Sequence, residues 1–382
     1  MKLFELGKRG RKVREKQKKE ILFIERCLDL VRSADGTVGI IVPDGILANP
    51  TLRYVRNWIE KRAKIIAVIS LPPETFIPFG SFQKASILFL RKKRDEKDPQ
   101  PKEIFMAMVE HVGYDSTGKP TKRNDLEAVV IKKWREFLDG KLKPAKPKEL
   151  KLSKVLEEFP IGEEEKGFVI PFNELKSAKR WDVERFRPKI KDLIHTLEKA
   201  KCPKLGDLVN VYKDKVQEKD LETDALKFIE KIDGKTGEIV WKEGSIYEIP
   251  KGAKFKFRKN TLVVSRINAK IDCIAIVPEE LDGILGTNEY YGLEVKDSSK
   301  VLLEYLHEIL RSEIVKQQII ARTSGLYGRI NERELLELRI PLPSIEVQEE
   351  VKKAKQDALE LRKEATKRER DALIKVVESV SC

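Results

Sequence analysis

Apolar positions switch between helical spacing and short unbroken runs along the first part of the chain. The segment "ILFIERCLDLVRS" has helical spacing and ends at the turn signal "ADG". "TVGIIVP" follows as a continuous apolar run of strand length, which predicts a strand buried on both faces. "NPTLRYVRNWIEKRA" predicts a helix with Asn49 as N-cap and Pro50 at its first position. "KIIAVISLP" and "KASILFLRKK" are two further strands, joined by "SLPPETFIPFG". "EIFMAMVEHVGY" adds a strand and "LEAVVIKKWREFL" a helix. The order helix, strand, helix, strand, strand predicts an α/β sheet whose last connection is a hairpin.

A linker is expected at "DGKLKPAKPKELKLS", where prolines sit among Lys and Ala. Beyond "RWDVERFRPKIKDLIHTLEKA" the pattern turns to β segments at "KFKFRKNTLVVSRI", "KIDCIAIVPEEL" and "NEYYGLEV". "VLLEYLHEILRSEIVKQQIIA" predicts one long helix, and "ELRIPLP" a closing strand. From Ser344 to Val380 the pattern is almost purely helical. Val347, Val351, Ala354, Ala358, Leu361, Ala365, Ala372 and Val376 form an Ala-rich heptad seam. This helix either packs on its own domain or serves as a coiled-coil-like spacer. The first twenty residues are strongly basic with little apolar pattern, and a flexible or partner-dependent arm is expected there.

Charge narrows the partner. The 382 residues carry 77 Lys and Arg against 63 Asp and Glu, a net +14, which favours a polyanion and nucleic acid before membrane. No run of about eighteen apolar residues and no leader pattern occurs, so a cytoplasmic protein is expected. The four cysteines lie far apart and the three histidines sit in separate segments, which gives no metal-ligand spacing.

Some motifs fall away on inspection. "GYDSTGKPT" nearly spells a phosphate-binding loop, but Pro120 stands where a magnesium-binding hydroxyl is needed and lacks an N–H. A plain turn is the expectation. The triplet Glu174-Leu175-Lys176 matches a piece of a nuclease motif and is common by chance in so Glu- and Lys-rich a chain.

The stretch from "ILFIERCLDL" through "VPDGIL", "SLPPETF" and "KASILFLRKK" resembles the adenine-N6 DNA methylases of type I restriction-modification systems, with a weaker continuation through "VEHVGYDSTGKP". The resemblance implies the second half of a Rossmann-like catalytic domain, with "TVGIIVP" as its fifth strand and the next two strands as its sixth–seventh hairpin. The family's first half carries a Gly-rich loop for S-adenosylmethionine and an Asn-Pro-Pro-aromatic catalytic loop. Neither occurs in this sequence, where Asn49-Pro50 is followed by Thr51. The chain alone is therefore expected neither to bind S-adenosylmethionine nor to catalyse, and no catalytic residue is assigned. In related methyltransferases an aromatic between the sixth and seventh strands stacks on the flipped adenine. By alignment Phe76 takes that position, with Phe79 as its rival, and the alternative is that both are core residues.

The later segments "RWDVERFRP", "KLGDLV", "NTLVVSRINAKIDCIAIVPEELDGILGTNEYYGLEV" and "IARTSGLYGRINERELLELRIPLPSIEVQEEV" resemble the target recognition domains of type I specificity subunits. That resemblance implies a domain over the DNA major groove followed by a spacer helix. Lys254, Lys256 and Arg258 cluster at a turn between aromatics, and Arg266 and Lys270 follow a strand. Arg322, Thr323, Ser324, Tyr327, Arg329 and Asn331 supply donors and acceptors in a Gly-containing loop, where Arg suits guanine and Asn adenine. A solvated basic face is the alternative for any one of them.

The resulting expectation is an α/β partial methyltransferase sheet (1–140), a linker (141–180), an α+β target recognition domain (181–343) and a long C-terminal helix (344–382). Its function would be sequence-specific recognition of double-stranded DNA. Methyl transfer would need a polypeptide that carries the missing half. A restriction subunit and a second copy of the chain, through the C-terminal helix, are further candidate partners. The alternatives are a non-enzymatic specificity protein and a decayed split-gene remnant.

Overall fold

A computed structural model describes residues 3–32, 34–157, 159–217, 221, 225–245, 247–248, 254–267, 273–323 and 329–380. The chain divides into two compact units, Met1–Lys199 with Gln317–Ile330, and Ala200–Lys316 with Asn331–Cys382. Among the described residues no helix is long and apolar enough to cross a membrane.

The first unit is built on a five-stranded mixed sheet. Its strands are β1 (Thr37–Pro43), β2 (Ala63–Ser70), β3 (Ala85–Lys92), β4 (Glu103–Met108) and β5 (Phe168–Pro171), in the order β1-β3-β2-β4-β5. β3 runs antiparallel to both β1 and β2, so the hairpin's second strand is inserted between β1 and its first strand. β2 and β4 pair in parallel. Helices α1 (Lys19–Leu30) and α2 (Arg53–Arg62) cover one face, where Ile21, Ile24, Val55 and Ile59 meet Val42, Ile65, Leu88 and Leu90. On the other face Trp134 and Phe137 of α3 (Ile131–Leu138) pack with Ala67, Ile69, Phe105 and Ala107.

β1 departs from the sequence expectation. Val38 and Val42 are buried, but Thr37 and Gly39 are exposed and Ile41 is 52% exposed. β1 ends the strand order, and its apolar composition stands for one buried face and one open one. The basic N-terminal segment is also more ordered than expected. Leu6 is in the core, the amides of Glu5 and Leu6 donate to Glu25, and Trp58 Nε1 donates to Glu5 Oε2 at 2.8 Å. Lys8–Arg9 and Lys12–Val13 form a short hairpin. The phosphate-loop look-alike is a hairpin turn, in which Asp115 Oδ1 accepts from the amides of Thr117 and Lys119.

Trp181, Val183 and Phe186 belong to this unit's core, ahead of α4 (Pro188–Lys199). Arg180 donates to the carbonyls of Arg322 and Thr323, and Arg187 Nη1 donates to Gln317 Oε1 at 3.3 Å.

The second unit has two sheets. β6 (Val209–Tyr212), β11 (Leu262–Ser265), β12 (Ile274–Ile276) and β14 (Tyr290–Val295) form one, in the order β6-β14-β11-β12. β7 (Asp214–Val216), β8 (Leu226–Ile232), β9 (Ile239–Gly244), β10 (Lys254–Phe257) and β13 (Ile284–Thr287) form the other, in the order β7-β10-β13-β8-β9. Ile229, Ile232, Phe257, Val263, Ala275 and Ile284 make the core between them. The expected single helix breaks at Ser312 into α5 (Leu303–Arg311) and α6 (Glu313–Arg322). The strand expected at "ELRIPLP" is reduced to one bridge, Lys204 with Arg339. α7 (Ile345–Val380) is a continuous helix of 36 residues, about 54 Å long at 1.5 Å per residue. Its first turns pack on α5 through buried Gln348, Lys352 with Glu304, and Lys355 with Glu308. Further along, Leu361 is 66% exposed and Val376 is also exposed, so the distal seam is uncovered by its own unit.

Candidate functional site

In the first unit, the side chains that matter gather at the carboxyl ends of β1 and β2, where open α/β sheets place their sites. β2 ends at Ser70, and Leu71-Pro72 leads into a 3₁₀ turn over Pro73–Phe79 that Gly80 closes at φ 79°. Thr75 Oγ1 donates to the Pro72 carbonyl at 2.7 Å, and Tyr114 Oη donates to the Thr75 carbonyl at 2.8 Å. The prolines and these bonds make the loop rigid.

Phe76 is half-buried and packs with the Ile69, Leu71 and Phe105 cluster. Phe79 is 72% exposed, touching Tyr114 edge-on at 6.1 Å between ring centroids. Of the two, Phe79 is accessible and Phe76 is half-buried. Phe82, which sequence reasoning did not single out, is also exposed on the same loop.

Beneath the loop lies a buried ionic cluster. Lys84 Nζ donates to Asp44 Oδ2 at 2.7 Å, to Ser70 Oγ at 2.6 Å and to Glu184 Oε1. Ser86 Oγ donates to Asp44 Oδ1 and Ser70 Oγ to Glu184 Oε1, each at 2.7 Å. Burial pushes the Asp44 carboxyl up, against the pull of Lys84. Burial also opposes ionisation of Glu184, but Lys84 and Ser70 outweigh it and hold that carboxyl at about 2. The sequence signal was indirect: Asp44 stands inside "VPDGIL" and Lys84 opens "KASILFL".

These residues do not form a cradle for S-adenosylmethionine. The turns after β1 and β2 read Asp44-Gly45-Ile46 and Leu71-Pro72-Pro73, and the intervening space is filled by the ionic cluster. No step through the cofactor is derived.

The expected DNA contacts are dispersed. In the second unit Lys254 is only 2% exposed. Lys256 is exposed on the same strand. Arg258 lies over the Tyr212 ring at 4.7 Å and donates to both oxygens of Asp214, at 2.8 and 3.0 Å. Arg266 Nη1 donates to the Asn288 carbonyl at 2.9 Å. Asn331 caps the helix Glu332–Leu336, accepting from the Glu334 amide at 3.0 Å, so its side chain is already engaged.

In the first unit Arg322 Nη1 donates to the Gln318 carbonyl at 2.9 Å and Thr323 is buried, which turns both inward. Arg329 is exposed. Lys270, Ser324 and Tyr327 lie outside the described residues.

The N-6 DNA Methylase family matches residues 4–165. Among solved structures the chain is similar to the HsdS subunit from Thermoanaerobacter tengcongensis, at 22% identity over 42% of this chain and 42% of that one, with a TM-score of 0.35. It is also similar to the methyltransferase subunit of a type I restriction-modification system from Streptococcus thermophilus, at 14% identity over 45% of this chain and 31% of that one, TM-score 0.29. The type IIG restriction endonuclease BpuSI aligns with 88% of this chain and 44% of its own, at 10% identity and TM-score 0.37. The chain spans less than half the length of these solved proteins. No curated protein matches. The N-terminal part of the chain, residues 4–165, thus carries the sequence of the N-6 DNA Methylase family on an α/β sheet.

Proposed function

We propose that this chain is the DNA-recognising part of an N6-adenine DNA methyltransferase of a restriction-modification system. Its first unit supplies one wall of the pocket for a flipped adenine, with Phe79 the stacking aromatic and Phe82 beside it. Its second unit holds the target duplex. S-adenosylmethionine and the catalytic Asn come from a further polypeptide segment that carries the Gly-rich and Asn-Pro-Pro loops. The observation that supports this most is the open edge of β1 within the family-matching residues, an apolar strand with nothing paired on its outer side among the described residues. Such an edge is a ready template for one more strand. A restriction subunit and a second copy meeting the exposed seam of α7 would complete the assembly.

The test measures S-adenosylmethionine binding by calorimetry, for the chain alone and mixed with a polypeptide bearing the missing loops, and duplex binding by fluorescence anisotropy. Duplex binding alone with cofactor binding only in the mixture is the expected result. Cofactor binding by the chain alone would sink the split arrangement, and no duplex binding would sink the recognition role.

A further inference from the structure

The second unit holds a small hollow that the expected contacts do not explain. It has a volume of about 40 Å³ and is walled by Tyr212, Lys256, Arg266, Asn288, Tyr290 and Tyr291. Gly292 makes room for it: a Cβ there would stand 2.5 Å from the Tyr212 ring.

Arg266 is built into the wall. Its amide donates to the Glu289 carbonyl at 2.7 Å, its guanidinium lies 5.0 Å from the Tyr291 ring centre, and Nη1 donates to the Asn288 carbonyl. Its Nε is buried and has no hydrogen-bond partner among the described residues. A buried guanidinium N–H without an acceptor costs about 1–3 kcal/mol, a cost that an acceptor arriving in the hollow would relieve. Lys256 adds an exposed ammonium that no carboxylate pairs among the described residues. The other nearby charges are already matched. Lys213 pairs with Glu332 at 2.5 Å, and Asp214 is held by Arg258. Two uncompensated cations therefore face one hollow.

Size selects the ligand. A single water needs roughly 10–15 Å³, so the hollow admits roughly three water-sized groups. That suits the oxygens of one phosphate and is too small for a nucleobase. A guanidinium edge with a free N–H is matched to such oxyanions.

We propose that this hollow seats one backbone phosphate of bound DNA, held by Arg266 Nε and Lys256 against the tyrosine floor. The inference rests on the recognition role proposed above and specifies a contact within it. Such a contact fixes the register of the duplex and carries no sequence information of its own.

Duplex affinity of the full chain, measured against salt, tests it with Arg266→Gln and Lys256→Gln. Lys256 is an exposed strand residue whose replacement leaves the fold intact. Each variant should weaken target and scrambled duplexes alike, by about 3- to 10-fold, and flatten the slope of log K against log salt by about 0.9. In parallel, the Arg266 Nε–H resonance should shift on titration with inorganic phosphate. Unchanged slopes in both variants, with wild-type binding intact, would overturn the phosphate seat and leave the recognition role standing. Loss confined to the target duplex would also overturn it, as base reading. If the wild-type chain binds no duplex, the recognition role and the DNA source fail together. A phosphate-dependent Nε–H shift would then mark a seat for free phosphate only.

Discussion

Lys84 Nζ lies 2.7 Å from Asp44 Oδ2, both buried, although the two residues are 40 positions apart. Asp44 follows the last residue of β1 and Lys84 precedes the first residue of β3, so the antiparallel pairing of those strands brings them together. With Glu184 and two serines they form a buried network whose every charged member is hydrogen-bonded.

Removing the cation should therefore be severe. Lys84→Met would leave two buried carboxylates uncompensated, and the first unit should lose about 3–5 kcal/mol of stability in urea unfolding. Adding Asp44→Asn and Glu184→Gln should recover much of the loss. A single-variant effect under about 1 kcal/mol would mean that the network is wetter than the geometry implies.

The base of α7 has a pH-sensitive anchor. Burial pushes Glu308 up, but hydrogen bonds from His307 and Lys355 outweigh it and hold the carboxyl at about 2 against an ordinary 4.5. A carboxyl lowered on folding contributes stability that is complete above its unfolded value and lost as pH falls through its folded one. The second unit should lose stability between about pH 5 and pH 2, and Glu308→Gln should flatten that limb while lowering stability at pH 7. Thermal unfolding of both proteins at pH 7 and pH 3 checks this, and parallel pH profiles would contradict it.

The hairpin β2–β3 was legible because its two apolar runs bracket a proline-rich turn, a purely local signal. α7 was legible for the same reason: one period persists over ten turns. What failed was decided by neighbours in space. The apolar run of β1 is consistent with one buried face or two, and only the reach of α3 across the sheet decides between them. Lys254 reads as surface charge in sequence, yet it is buried while Lys256, two residues along the same strand, is exposed. The cluster of Asp44, Lys84 and Glu184 has no local pattern at all, since 100 residues separate Lys84 from Glu184.

The two loop phenylalanines should separate by measurement. Phe76→Ala empties part of the cluster with Ile69 and Phe105 and should cost about 2–4 kcal/mol of stability. Phe79→Ala, at an exposed position, should cost under about 1 kcal/mol. In an assembled methyltransferase Phe79→Ala should instead weaken stacking on the target base by about 1–3 kcal/mol. The fluorescence of 2-aminopurine at the target position reads that difference. Equal fluorescence for wild type and Phe79→Ala would return the stacking role to Phe76 or Phe82.

The open edge of β1 gives a final expectation, which concerns the chain without its partner. An edge strand with a bare apolar residue invites strand-to-strand association, and a Lys on that strand discourages it. Ile41→Lys should raise the concentration at which the isolated chain stays monodisperse in light scattering, with a change in unfolding free energy within about 0.5 kcal/mol. Val42→Lys, one residue along and fully buried, should unfold the unit's edge, because it buries an unpaired ammonium. The pair isolates the surface effect from the folding effect. If Ile41→Lys leaves self-association unchanged, the edge of β1 is not the sticky surface, and the exposed seam of α7 with Leu361 and Val376 becomes the surface to alter next.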